Sequence, residues 1–424
     1  MHMKKYIFTG LILVLALLYY LGGIGAVKKL IFPNALEEGN LSFLSIGEGF
    51  KIEVFADKLD GPRVIAFGPK GEMLVSETQK GRVVILEDLN RDGKADNQKT
   101  LIENLRLPHG LAFYKDSKSG VTYLYIAEQH QVARYKYDVG TVSVVSGPQN
   151  IVTFPKESGR HFTRTIAFGP NFRSTPILQG FGSQLTAGKN KLYVSMGSSC
   201  DACEEDSWKR AAILESDPAG TYTAEFAGGL RNSVFFDFHP FTGQIWATEM
   251  GRDNLGDDLP PDEINIVKVG GPEQEFGARR YGWPFCYGKR IQDKTFHPDK
   301  FERIDIPQNC SETEPSAIDI PAHSAPLGLA FITSDKWPKE WKNQLLVAYH
   351  GSWNRSAPTG YKIVRFPLGT KGEIPAKIQA EDFVAGWLKD GKVLGRPVDL
   401  KFGPDGALYV SDDFAGIIYR ITPN

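Results

Sequence analysis

Net charge is what this sequence most conspicuously lacks: 49 lysines and arginines face 50 aspartates and glutamates, a formal charge of −1 over 424 residues. Nothing in that balance draws the chain toward nucleic acid, whose binding rests on a basic surplus. Cysteine is scarce too, at four residues. Cys200 and Cys203, in SSCDAC, have no second pair and no histidines close by. That favours a local disulfide over a zinc site. Cys286 and Cys310 bracket an insertion and are expected to pair, which suits an oxidising compartment. Helical periodicity is weak, and 44 glycines and 26 prolines punctuate short Val/Tyr/Phe-rich runs, pointing to a single all-β domain. Long apolar runs are absent except for Tyr6–Val27, which follows Lys4 and Lys5 and is long enough to span a bilayer. It is expected to be an uncleaved anchor rather than a cleaved signal. Either way the protein would be exported, to the periplasm or the extracellular face. The chain then divides into 1–27, signal or anchor; 28–44, linker; and 45–424, one globular domain.

What is present in abundance is repetition. A strand of the type x-x-Ala-Phe, a Gly/Pro turn and a Leu-Tyr-Val-Ser strand ending near an acid occurs as PRVIAFGPKGEMLVSE at 62–77 and as PHGLAFYKDSKSGVTYLYIAE at 108–128. It returns as TRTIAFGPNF with KLYVSM across 163–196, as GLRNSVFFDFHPFTGQIWATEMG at 229–251, and as PLGLAFITSDKW with NQLLVAYH across 326–350. The last copy is RPVDLKFGPDGALYVSDD at 396–413. The mean spacing is close to the forty to fifty residues of a four-stranded propeller blade. One such sheet cannot bury both its faces, so the units must ring a common axis. The fold class is therefore a six-bladed β-propeller. Phe50–Phe55 has no blade of its own and is expected to pair beside Ile417–Ile421, closing the last blade with an N-terminal strand.

Register carries the functional argument. Superposing the copies on their first strand puts Arg63, His109, Arg164, Arg231, Leu327 and Arg396 on one circle around the axis. Cations gathered at one mouth repel unless an anion joins them, and guanidinium groups pair well with carboxylates. A second circle holds Glu77, Glu128, Met196, Glu249, His350 and Asp412, which are expected either to neutralise the first through salt bridges or to leave some arginines for a planar, multiply charged ligand. His161, in ESGRHFTR, lies three residues before Arg164, on a loop over the cup, where an imidazole can serve as general base. With His109, His323 and His350, four of the eight histidines map to one end of the ring. Asp88, Asn90, Asp92 and Asp96 have the oxygen spacing of a calcium loop with Gly93 at the bend, although Lys99 stands where the closing glutamate belongs. A structural calcium site and an ordinary acidic turn both remain open there. Gly251–Asn265 reads as too polar for a strand and as a rim to the pocket. His350-Gly-Ser-Trp353-Asn354-Arg355 combines a cation, an aromatic face and an amide, suitable for a flat anionic ring.

These residues resemble the pyrroloquinoline-quinone (PQQ)-dependent sugar dehydrogenases, the soluble aldose/glucose and sorbosone dehydrogenase group, over Phe50 to Thr422. The resemblance rests on ESGRHFTR, Gly229-Leu-Arg231-Asn232, Glu249-Met-Gly251, Asp262-Glu-Ile-Asn265 with Tyr281-Gly-Trp-Pro284, and Arg396-Pro-Val-Asp399. HSAPLGLAF and HGSWNRSAPTGYK are similar to the sorbosone branch. The resemblance implies an exported oxidoreductase that passes hydride from a sugar to PQQ, with His161 as base and Arg231 and Asn232 on the quinone oxygens. It implies calcium on the main-chain carbonyls of Gly251 and Arg252, and Arg396 on a cofactor carboxylate. Arg63, His109, His323, His350 and Arg355 complete the expected cofactor-binding set. The partners implied are a small sugar, an external or respiratory electron acceptor and, through the N-terminal segment, a membrane. This chain departs from the aldose pattern in offering His350 and Arg355 where a lysine is usual on blade five, and His109 and His323 at polar loop positions. Two other readings stand beside this one: a calcium-dependent lactonase-type hydrolase, and a non-enzymatic sugar- or protein-binding propeller whose arginines would be salt-bridged.

Overall fold

A computed structural model of the protein describes residues 40–155, 159–172, 190–268, 278–297, 302 and 306–424. Tyr6–Val27 lies outside the described residues, and among those described no helix is long and apolar enough to cross a membrane. Leu44–Asn424 forms one compact unit.

The repeats become six sheets, antiparallel except where Arg279–Arg280 lies parallel beside Thr223–Gly228 in blade three, each ordered along the chain from the inside of the ring outward. Blade one is Pro62–Phe67, Met73–Glu77, Arg82–Glu87 and Asn97–Ile102; blade two begins at Leu111–Lys115 and blade three at Ile166–Gly169. Blade four begins at Phe236–Phe238, blade five at Pro326–Phe331 and blade six at Pro397–Phe402. Blade six takes its outer strand from the other end of the chain, with Phe50–Ala56 antiparallel to Ile417–Pro423. This closure was legible in the sequence. The short strand Ser45–Ile46 adds a fifth member to blade five against Val384 and Ala385. The inner strands neighbour one another around the ring, and the sixth returns to the first. Gly110 and Gly328 show how tightly they meet: a Cβ on either would lie 2.6 Å from a main-chain oxygen of the next blade.

Alternation along the strands buries one apolar set against each neighbouring blade. The largest apolar cluster draws Val64, Leu111, Phe235, Leu327 and Val398 from five blades to the centre. One expected loop proves partly wrong. Within Gly251–Asn265, the final residues belong to the strand Asp262–Val267, third in blade four. Its polar run DEIN is buried with most of its polar atoms paired: Glu263 accepts from the main-chain N–H of Gly288 and from Asn265, and Asp262 accepts two main-chain N–H groups, while Asn265 Oδ1 has no partner. Polar groups that find partners can occupy a strand interior that composition alone would exclude.

Candidate active site

The acidic circle serves the backbone. Glu249 accepts from the main-chain N–H of Asn232 at 2.7 Å and from the Ser233 hydroxyl. Asp412 accepts from the N–H of Arg396 at 2.9 Å, Glu128 from that of Arg106 at 2.6 Å and Glu77 from that of Asp60 at 2.8 Å. In four blades, then, an acid at the end of the second strand fixes the loop that enters the first. The salt bridges expected between the circles do not form at these positions, and the guanidinium groups find other partners.

Two clusters result, joined by a continuous chain of bonds. In one, Arg63 Nη1 donates to Asp413 Oδ2 at 2.7 Å, and His350 Nε2 donates to Asp413 Oδ1 at 3.0 Å. Arg396 donates from Nε to the carbonyl of His350 and from Nη2 to that of Gly351. Burial pushes His350 down to about 4, so it is neutral at pH 7, and Arg63 is the cation facing Asp413. The link to the second cluster runs from His350 N–H to the Ala325 carbonyl and from Ala325 N–H to Asp262 Oδ2, whose other oxygen accepts from Gly251 N–H.

The second cluster centres on Arg231, which is only 5% exposed. Its five N–H groups are all spent on protein. Nε donates to the carbonyl of Asp201, Nη1 to those of Met250 and Gly251, and Nη2 to Asp201 Oδ1 at 2.8 Å and Asp253 Oδ2 at 3.2 Å. Beside it, the Nδ1–H of His161 meets the carbonyl and hydroxyl oxygens of Ser198 at 2.9 and 3.0 Å. A carbonyl can only accept, so the proton sits on Nδ1 and Nε2 is left as a free acceptor. Burial, then the nearby Arg231, lowers the His161 pKa to about 3, and the ring is neutral across the physiological range. Asn232 lies against the same turn: a Cβ at Gly197 would come within 2.6 Å of both Asn232 Oδ1 and His161 Cβ. Gly197→Ala is therefore expected to push these side chains apart, lowering turnover at least about tenfold while the melting temperature moves by only a few degrees. Equal loss of activity and fold would show instead a general packing defect.

Several of the expected site residues have protein partners of their own. His109 is fully buried and packs edge-on against Phe235. Arg164 is equally buried; its Nη1 donates to the carbonyls of His161 and Thr163, so it props the His161 loop from beneath. Arg355 donates to the carbonyls of Asp257 and Ala322 and to Asp258, and His323 Nε2 donates to Gly256 at 2.8 Å. Both tie down the 251–258 loop, as Asn354 does through Asp253. Arg231 does not present free donors to a quinone; what it presents is charge. In the Asp88–Asp96 loop the carboxylates take up main-chain N–H groups. Asp88 accepts from the N–H groups of Asp92 and Gly93, Asp92 from that of Lys94, and Asp96 from those of Leu89 and Asn90. The only His/Cys/Asp/Glu group among the described residues drawn close enough to hold a metal is Cys200, Cys203 and Glu205, and those cysteines form a disulfide, as do Cys286 and Cys310. Sequence reasoning missed Ser198, Asp201, Asp253 and Asp413. Only Asp413 carried a signal, standing next to the circle position Asp412.

A family model described as TrAA12-like matches residues 44–424. The chain belongs to the TrAA12-like family. An uncharacterized protein of Borreliella burgdorferi is 31% identical to this TrAA12-like chain over 388 residues, covering 90% of it and 91% of that protein. The pyrroloquinoline quinone-dependent pyranose dehydrogenase of Coprinopsis cinerea is 24% identical and covers 89% of this chain. The TrAA12-like chain spans about half of that enzyme's length, 54%. The calcium structure of a Trichoderma reesei carbohydrate-active enzyme of family AA12 superposes with a TM-score of 0.70 at 22% identity, over 90% of this chain and 97% of that one, a likeness of fold.

Proposed function

We propose that this protein oxidises a sugar at a hydroxyl or hemiacetal carbon by hydride transfer to PQQ, with His161 as the base. The observation that carries the reading is the state of His161: a neutral imidazole whose proton is fixed on Nδ1 by Ser198, with Nε2 open beside a buried arginine. Family membership and the sugar dehydrogenase activity of the Coprinopsis relative support it.

The donors present fit a planar tricarboxylate. Arg63 spends one guanidinium nitrogen on Asp413, and Arg396 spends two on carbonyls, leaving N–H groups on both for carboxylates. Asn232 offers an amide next to His161. When bound, PQQ supplies the two-electron hydride acceptor. His161 Nε2 takes the sugar hydroxyl proton, Asn232 orients the ring, and Arg231, held by Asp201 and Asp253, provides positive potential where negative charge grows. The carbonyls of Gly251 and Arg252 suit calcium in kind. Gly251 already accepts from Arg231 at 2.8 Å, however, and a cation there would be repelled by the guanidinium, so we assign no step to calcium. We also propose export, anchoring through Tyr6–Val27 and delivery of electrons to an external or respiratory acceptor. The lactonase-type reading lacks a gathered set of carboxylates among the described residues. The binding-propeller reading accounts for the saturated Arg231 but not for the open Nε2 of His161.

Turnover of a panel of aldoses with an artificial electron acceptor tests the reading. Activity is expected only after PQQ is added, and quinone-loaded protein that oxidises no sugar would contradict it.

A further inference from the structure

The turn from Gly197 to Glu205 has no ladder partner, yet it touches Arg231, Asp253 and His161. Ser198 N–H donates to the carbonyl of Arg231 at 2.7 Å, and Ser198 Oγ donates to that of Cys200 at 2.6 Å. Ser199 N–H donates to Glu205 at 2.6 Å, and its carbonyl accepts from Arg160. Asp201 sits between the two cysteines of a disulfide only three residues apart. Its carbonyl accepts from Arg231 Nε and from Trp283 Nε1, both at 3.0 Å. Its carboxylate accepts from Arg231 Nη2 at 2.8 Å and from Asp253 N–H at 2.7 Å, and lies 3.4 Å from Arg252. The same turn fixes the His161 proton through Ser198.

We propose that Asp201 is a positioning residue for Arg231, and that the Cys200–Cys203 disulfide is the strap that lets one turn set both Arg231 and the His161 tautomer. The inference rests on the reading of Arg231 and His161 given above. A side chain that aims another is felt through it: loss of such a partner typically weakens the function it supports by about ten- to a hundredfold. The strap replaces ladder hydrogen bonds that this turn cannot make. The disulfide is opened by a dithiol, which becomes a cyclic disulfide as the two cysteines become thiols, so the strap is addressable in the intact protein.

The test has two arms on the full chain. In the first, the tautomer of His161 is read at pH 7 from its ring ¹⁵N shifts, without cofactor, in three samples: the oxidised protein, Cys200→Ser/Cys203→Ser, and wild type reduced by a dithiol. The oxidised protein is expected to hold its proton on Nδ1 alone, and both strapless forms to show averaged tautomers. A fixed Nδ1–H in the strapless forms would overturn the strap. In the second, PQQ is titrated by absorbance into wild type, Asp201→Asn and Asp201→Glu, all with the disulfide intact. Asp201→Asn is expected to weaken binding at least about tenfold, with Asp201→Glu recovering most of it. Unchanged binding by Asp201→Asn would overturn the positioning role. Should wild type bind no quinone, the proposed function fails while the first arm still decides the strap.

Discussion

Replacing His161 by glutamine is expected to lower kcat by about a hundred- to ten-thousandfold, the range a general base contributes, while PQQ affinity changes little. The amide keeps much of the imidazole's shape and still reaches Ser198, but it cannot take a proton. The separation of kcat from binding is what identifies a base, because a residue that merely shaped the cup would move both. The pH profile offers a second check. Burial and Arg231 lower the His161 pKa to about 3, so its base form is fully present above that value. Titration of His161 should therefore leave no inflection in kcat/KM near 6.5, and an acid limb at that pH lost in the His161→Gln variant would contradict the lowered pKa while leaving His161 as the base.

Removing Arg63 and Arg396 together is expected to weaken quinone binding by about a hundred- to ten-thousandfold, if each contributes one charge-assisted hydrogen bond of about 1.5–3 kcal/mol. The structural cost is smaller, since each guanidinium is partly exposed and its protein partners are two carbonyls and one carboxylate. Asp413 would lose its cation, yet His350 would still donate to it. Titration of the double variant by absorbance or calorimetry, with melting temperature as a control on folding, measures the effect. Near-wild-type affinity would place the cofactor carboxylates elsewhere in the cup.

How much of this was legible in the sequence follows from where each residue sits. The six blades could be read because strand, turn and strand recur with the same residue types, and ring closure because Phe50–Phe55 had no other partner. The circle of cations could be read because equivalent positions in blades share a radius. Register could not say which of those side chains turn into the cup. Arg164 and His109 occupy the same circle position as Arg63, but both are fully buried, and Leu327 belongs to the central apolar cluster. The partners of Arg231 were hidden for a different reason. Asp201 and Asp253 lie in loops that obey no repeat, and a loop's position over the ring is set by contacts remote in sequence, such as Asn354 on Asp253 and Arg355 on Asp257. The acid circle was seen, but its work was misjudged. Salt bridges between circles were the natural expectation, whereas an unpaired main-chain N–H at a blade entry is the more pressing need, and Glu249, Asp412, Glu128 and Glu77 meet it.

The central claim is that one mouth of the propeller holds a planar, carboxylate-rich quinone beside a base fixed in a single tautomer. Adding PQQ and calcium to the purified protein and recording its absorbance before and after an aldose tests this most directly. Saturable appearance of a bound-quinone spectrum, bleached by the sugar in wild type but not in His161→Gln, is the predicted result. Absence of a saturable spectrum, or bleaching that is unaltered in His161→Gln, would contradict it.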